Sequence, residues 1–258
     1  MNHRGQTQGT ILGRFSDLGV DVNGLIIPGR LVEGVLARHA INLVVNTDDE
    51  EFKIYLAGSA SAIRYKGREI LLVTQHQIKK IDASQAGILT KSGSHVITSG
   101  GLRGYNARSD TDAYDVAAFD FTAPCKDRPE LSQLFFNFTT IPPDVGNIDI
   151  LAILLSGYPS SEQLYEIHEN NHLGLARRNV VCHPHSQPTD ESLLVVQAER
   201  PLDKHPDGMS GGPAFVIQLE GGRPRAYFAG MIVRGGKETF RIIKSGVLFS
   251  FLESIYSR

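Results

Sequence analysis

The feature that most constrains the fold is a train of short apolar runs spread along the chain. Ile41–Val45, Phe52–Leu56, Ile70–Val73, His95–Ile97 and Tyr114–Phe121 make a first set. Ile148–Leu155, Leu193–Ala198, Pro213–Leu219, Ala226–Val233 and Phe240–Phe249 make a second. Gly, Asp, Asn and Ser punctuate them. Runs of this length suit strands better than helices, and turn signals at these intervals point to sheet sandwiches or barrels. The expected fold class is therefore all-β. Residues 124–146, with Pro129, Pro142 and Pro143, read as a linker between the sets.

Only the two flanks depart from this pattern. Residues 1–27 are Gly-rich and polar, and read as a loose N-terminal arm. From Pro28 to His39, Leu31, Val32, Val35 and Leu36 recur at helical spacing. Pro28 can open that helix, because its missing N–H would go unpaired there anyway. Near the C-terminus, Val247, Phe251 and Ile255, with Leu248, Leu252 and Tyr256, return to helical spacing.

The 258 residues are 41% apolar and 21% charged, enough to bury a sizeable core. A formal net charge of −2 supplies no basic field, so neither nucleic acid nor an anionic membrane is an expected partner. The longest apolar run, Ile150–Leu155, falls far short of the about 20 residues of a membrane span. The first residues are polar and do not read as a secretory signal. Cys125 and Cys182 are the only cysteines. Two free thiols fit a reducing compartment, so a cytoplasmic location is expected.

Chemistry concentrates around Asp207-Gly208-Met209-Ser210-Gly211-Gly212-Pro213, just before an apolar strand. A serine hydroxyl is a weak nucleophile. It needs a base for its proton and N–H donors for the oxyanion that forms. Glycines beside it permit a tight turn that aims amides at one point, although a Gly-rich turn between strands has the same composition. His76 closes the run Ile70-Leu-Leu-Val-Thr-Gln-His76, and Asp115 opens the run Asp115-Val-Ala-Ala-Phe119.

Together these segments resemble the trypsin/chymotrypsin-like serine peptidases, in the manner of a bacterial-type intracellular member. The family carries a Gly-x-Ser-Gly-Gly-Pro segment, a Thr-Ala-Ala-His segment and an Asp-(Ile/Val)-Ala segment, in the order His, Asp, Ser. Further segments add to the likeness: Gly58-Ser-Ala-Ser-Ala-Ile63, Ser156-Gly-Tyr-Pro159, Gly230-Met-Ile-Val-Arg-Gly235 and Lys244-Ser-Gly-Val-Leu248. The resemblance implies two packed antiparallel six-stranded barrels with N-terminal and C-terminal helices. The peptidase domain would span 28–258, with a first barrel at about 40–125 and a second at about 147–250.

It further implies a serine endopeptidase that acts on polypeptide through an acyl-enzyme and needs no cofactor. Ser210 is the expected nucleophile, His76 the general base and Asp115 the carboxylate that orients it. The amides of Gly208 and Ser210 would form the oxyanion hole. Val233, Arg234 and Gly235 would hold substrate as an added strand. Lys204 is expected at the pocket base and Gly246 beside the pocket. Two cations, Lys204 and Arg234, would favour an acidic side chain at the cleavage site, unless both point to solvent as most Lys and Arg do.

The chain also departs from the family pattern. One residue, not two, separates Thr74 from His76, so either the strand shifts by one residue or Val73 takes the threonine's place. Met209 stands where activated zymogens carry an acid that pairs with a new N-terminus. The cysteines flanking the histidine and serine of secreted relatives are missing, and Gln77 follows His76. Two alternatives stay open: a catalytically silent peptide-binding module, and a peptidase active only when a regulatory protein partner triggers it.

Three other patterns compete. His168-Glu169-Asn-Asn-His172 matches the helical zinc-peptidase spacing, but paired asparagines favour a turn and a polar surface loop. Cys182-His183-Pro-His185 could touch a metal, but Pro184 favours a loop and no second cysteine pair completes a site. No metal is expected. Asp112 is the rival to Asp115 as orienting carboxylate.

Overall fold

A computed structural model describes residues 18–47, 49, 53–90, 95–104, 111–166, 172–186 and 190–256. The protein is mostly β, as the short runs predict. It contains a closed six-stranded antiparallel barrel and a second sheet.

The chain enters through a hairpin, β1 (Gly19–Val22) and β2 (Leu25–Pro28). Asn23 and Gly24 both take positive φ between the strands, at 54° and 85°. That is the turn an Asn-Gly pair favours. Residues 19–27 are thus not part of a loose arm, because β1 pairs in parallel with a barrel strand through Asp21 and Val22. Helix α1 (Gly29–Ala37) follows and buries Val32 and Leu36.

The first sheet contains β3 (Ala40–Asn46), β4 (Ile54–Tyr65), β5 (Arg68–Val73), β6 (Ala86–Leu89), β7 (Val96–Thr98), β8 (Leu102–Gly104) and β9 (Ala117–Asp120). Their order is β7-β6-β3-β4-β5-β9-β8. Between β5 and β6 lies the short helix α2 (Gln75–Ile78). Ile41, Leu43, Leu71, Val73 and Phe119 lead the core on one face of this sheet.

The segment read as a linker is packed rather than loose. It holds two helical turns, α3 (Thr122–Cys125) and α4 (Pro129–Ser132), and a two-residue strand, β10 (Phe136–Asn137), that pairs in parallel with β4. Leu131, Phe135, Phe136 and Phe138 are buried. Four side chains of this size each contribute about 1.5–3 kcal/mol by leaving water, which fastens the segment down.

The closed barrel is built from β11 (Ile150–Gly157), β14 (Arg178–Pro184), β15 (Leu193–Ala198), β16 (Pro213–Glu220), β17 (Arg223–Gly235) and β18 (Thr239–Lys244). The order β16-β11-β14-β15-β18-β17 closes because β16 also pairs with β17. A small hairpin of β12 (Leu164–Glu166) and β13 (His172–Gly174) stands apart. Ile153, Leu155, Cys182, Ile232 and Ile242 fill the barrel interior. The chain finishes in α5 (Ser245–Tyr256), which buries Leu248, Phe251 and Leu252.

A third core joins the halves. Ile63, Ile70, Leu72 and Phe136 from the first meet Phe215, Phe228, Met231 and Phe251 from the second. His39 is buried at this junction. Its Nδ1–H donates to the Leu134 carbonyl at 2.6 Å, and Phe136 and Phe215 pack on its ring. Burial lowers its pKa to about 4, so it is neutral in the folded protein at pH 7.

Candidate active site

The first half of the site is set by how β5 ends. Val73 is buried and closes the strand, and Thr74 caps α2. Thr74 and Gln77 form a reciprocal capping box. Thr74 is thus the cap of α2, and the single residue between it and His76 puts the imidazole in the first helical turn.

There His76 meets Asp115. The ring Nδ1 lies 2.6 Å from Asp115 Oδ2, and the His76 main-chain N–H donates to Oδ1 at 2.9 Å. A carboxylate only accepts, so Nδ1 carries the proton in this bond. Burial pushes the Asp115 carboxyl up. Hydrogen bonds from the His76 ring and from the main-chain amides of His76 and Gln75 outweigh this and hold it below the ordinary carboxylate value. The rival Asp112 is occupied elsewhere. It pairs with Arg234 at 2.7 Å and lies 3.7 Å from Arg241.

The second half is the loop before β16. Gly208 and Gly211 take positive φ, at 95° and 86°, a region that L side chains enter at a cost. Between them Met209 is 1% exposed and packed into the barrel core. Burying it stabilises the loop by about 2–3 kcal/mol. An apolar anchor thus holds the loop immediately before Ser210.

The peptide planes of this loop are fixed by their carbonyls. Asp207 O accepts from Ser160 N–H at 2.7 Å, and Met209 O accepts from Gly212 N–H at 3.0 Å. In a trans peptide the N–H opposes the C=O. The Gly208 and Ser210 amides therefore point away from those partners, and neither has a protein acceptor among the described residues.

His76, Asp115, Ser210, Val233, Arg234 and Gly235 line one cleft between the two halves. The Ser210 hydroxyl donates to Val233 O at 3.1 Å. Among the described residues it makes no hydrogen bond to His76, so Ser210 and His76 share the cleft but are not joined.

Other expected residues fall outside this group. Lys204 directs its ammonium at Ser161 O, 3.3 Å away, and does not line the cleft. Gly246 lies in α5 and does not line it either. Arg234 lines the cleft but its guanidinium is taken by Asp112. Neither cation is thus presented to an acidic side chain in the way the sequence suggests.

His168 and Glu169 lie outside the described residues, and His172 opens β13. Cys182 is 0% exposed inside the barrel while His183, next along the strand, faces the other way. Burial pushes the Cys182 thiol well up, which makes it a poor ligand and a poor nucleophile. Among the described residues no three His, Cys, Asp or Glu side chains gather as a metal site. No helix among them is long and apolar enough to cross a membrane.

Three residues went unnoticed as part of the site. Ser59 Oγ donates to Gly208 O at 2.6 Å, Ser61 Oγ to Gly211 O at 2.7 Å, and Gln77 Nε2 to Ser210 O at 2.7 Å. Gln77 was findable as the fourth residue of a Thr-x-x-Gln capping box. Contacts across the interface leave no such local pattern.

No family model and no curated protein matches this chain.

Proposed function

We propose that this chain is a serine endopeptidase with the trypsin-like arrangement of two packed six-stranded antiparallel barrels. The terminal helices and the 28–258 domain belong to the same proposal. The observation that carries it is the His76–Asp115 pair, held by two hydrogen bonds and facing the Ser210 loop across one cleft. A bare Gly-rich turn has no use for an oriented imidazole opposite it.

In this mechanism the Ser210 hydroxyl leaves Val233 O and turns to His76 Nε2. Oγ attacks the peptide carbonyl carbon as its proton passes to Nε2. Asp115 stabilises the imidazolium, and the Gly208 and Ser210 amides receive the oxyanion. The C–N bond then breaks, and the imidazolium gives its proton to the departing amine. Water repeats the sequence to release the acid and free Ser210. Losing one oxyanion donor costs about 3 kcal/mol of transition-state stabilisation in comparable sites. Val233 to Gly235 would pair with an extended peptide. No cofactor enters, polypeptide is the substrate, and the proposed location is the cytoplasm.

The test is peptide turnover. Ser210→Ala should remove hydrolysis of a mixed peptide library while leaving peptide binding in place. Undiminished hydrolysis by that variant would refute the assignment.

One observation favours a second reading. The Ser210 hydroxyl rests on Val233 O, not on His76. That suits a silent binding module or a peptidase triggered by a partner. Hydrolysis by the isolated wild-type chain would exclude both.

A further inference from the structure

Gln77 reaches from the turn that carries His76 to the loop that carries Ser210. Its Oε1 accepts from Thr74 N–H at 2.9 Å and from Thr74 Oγ1 at 2.6 Å. Its Nε2 donates to Ser59 O at 3.2 Å and to Ser210 O at 2.7 Å. These contacts fix which way the amide faces. Both Nε2 partners are carbonyls, which only accept, and the Thr74 amide only donates. A flipped amide would set an oxygen against two oxygens.

The surroundings are shaped to admit this amide. A Cβ at Gly58 would lie 2.1 Å from Nε2, and one at Gly211 would lie 2.8 Å from Oε1. Gly58 cannot carry a side chain without displacing Gln77, and at Gly211 the Ser59 carbonyl stands closer still, 2.1 Å from an added Cβ. Ser59 and Ser61 also hold carbonyls of the serine loop, but they do so from the wall of β4. Among the described residues, only Gln77, next to His76 in the chain, ties the histidine turn itself to the Ser210 carbonyl.

We propose that Gln77 is a positioning residue, which sets the Ser210 loop in register with His76. The proposal deepens the peptidase reading and rests on it for its catalytic consequence. A tether that merely stabilises the fold would leave the chemical step intact. A positioning residue would not, because small misplacements of a nucleophile cost rate.

The experiment compares wild type, Gln77→Leu, Gln77→Glu and Val32→Ala, the last a buried substitution in α1 that lowers stability away from the cleft. Two readouts are needed: the rate of inactivation by a fluorophosphonate, split into kinact and KI, and amide hydrogen exchange at Ser210, Gly211 and Gly212. For Gln77→Leu we expect kinact to fall about 10- to 100-fold with KI within about twofold, and loop exchange to quicken about tenfold. Val32→Ala should change neither. In Gln77→Glu an ionised carboxylate would face the Ser59 and Ser210 carbonyls. Its defect relative to wild type should shrink as pH falls and the protonated acid donates again, while the Gln77→Leu ratio stays flat.

A Gln77→Leu protein with kinact within twofold of wild type, or with unchanged loop exchange, would overturn the proposal, as would a flat ratio for Gln77→Glu. Absence of labelling in wild type would defeat the peptidase reading instead. Loop exchange would still decide whether Gln77 sets the loop.

Discussion

The loop that carries Ser210 and the turn that carries His76 open on one cleft but are anchored by different means. Ser210 follows a buried methionine, three residues before β16, in a closed barrel. Its loop is held by burial and by carbonyls engaged from three sides. His76 sits on a single helical turn with its ring 52% exposed, and polar contacts alone orient it. Apolar burial is non-directional but resists solvent, and hydrogen bonds aim a ring but are weakened by water. Such a division suits the proposed roles, a serine loop held in place and an imidazole that passes protons between Ser210 and the leaving group.

The largest expected effects are chemical. Ser210→Ala or His76→Ala should each reduce turnover by on the order of 10⁵-fold, and the double variant should be little worse than either. Additive losses would mean the two residues do not act as a unit. Asp115→Asn should cost about 10⁴-fold in kcat, because an amide can favour the wrong tautomer of His76. A loss of less than about tenfold would place the orienting group elsewhere.

Next come the supports. Met209→Ala should destabilise the protein by about 2–5 kcal/mol in chemical denaturation, and slow acylation, while Asp112→Asn should cost less, because its partner Arg234 is 66% exposed to water. Equal effects would contradict the contrast between a buried and a solvated half. Asp112→Asn should also free Arg234 and raise cleavage beside acidic residues modestly, read from a peptide-library profile.

The junction gives a pH test. His39 has a folded pKa of about 4, below its ordinary value of 6.5. Between these values the unfolded chain binds a proton that the folded one refuses, so stability falls as pH drops from about 6.5 to about 4, by about 3 kcal/mol. The depressed Asp115 carboxyl adds a loss of the same sign lower down, as pH falls through its folded value. Denaturation midpoints across this range should lose the upper step in His39→Phe. A wild-type profile flat from pH 6.5 to 4 would mean His39 is solvated.

Much of this was legible in the sequence, for reasons particular to each part. Short apolar runs specify strands because each needs only its own alternation, and α1 and α5 announce themselves by Leu, Val and Phe at helical spacing. The hairpin at Gly19–Pro28 was also written there, in Val22-Asn23-Gly24-Leu25, but the polar residues upstream of it disguised it as an arm. Phe135, Phe136 and Phe138 were hidden by neighbouring prolines. The closeness of His76 to Asp115 follows from segments that could be recognised. The direction of the Ser210 hydroxyl, the Arg234–Asp112 pair and the reach of Gln77 depend on where two distant stretches meet. No local pattern encodes that meeting.

The account stands on Ser210 and His76 forming one reactive unit across the two halves. Intact-mass analysis after fluorophosphonate treatment, with the modified peptide sequenced, measures this directly. The wild-type chain should gain one adduct, on Ser210, and His76→Ala should gain essentially none over the same time. An unmodified wild type, an adduct on another residue, or equal labelling of His76→Ala would contradict it.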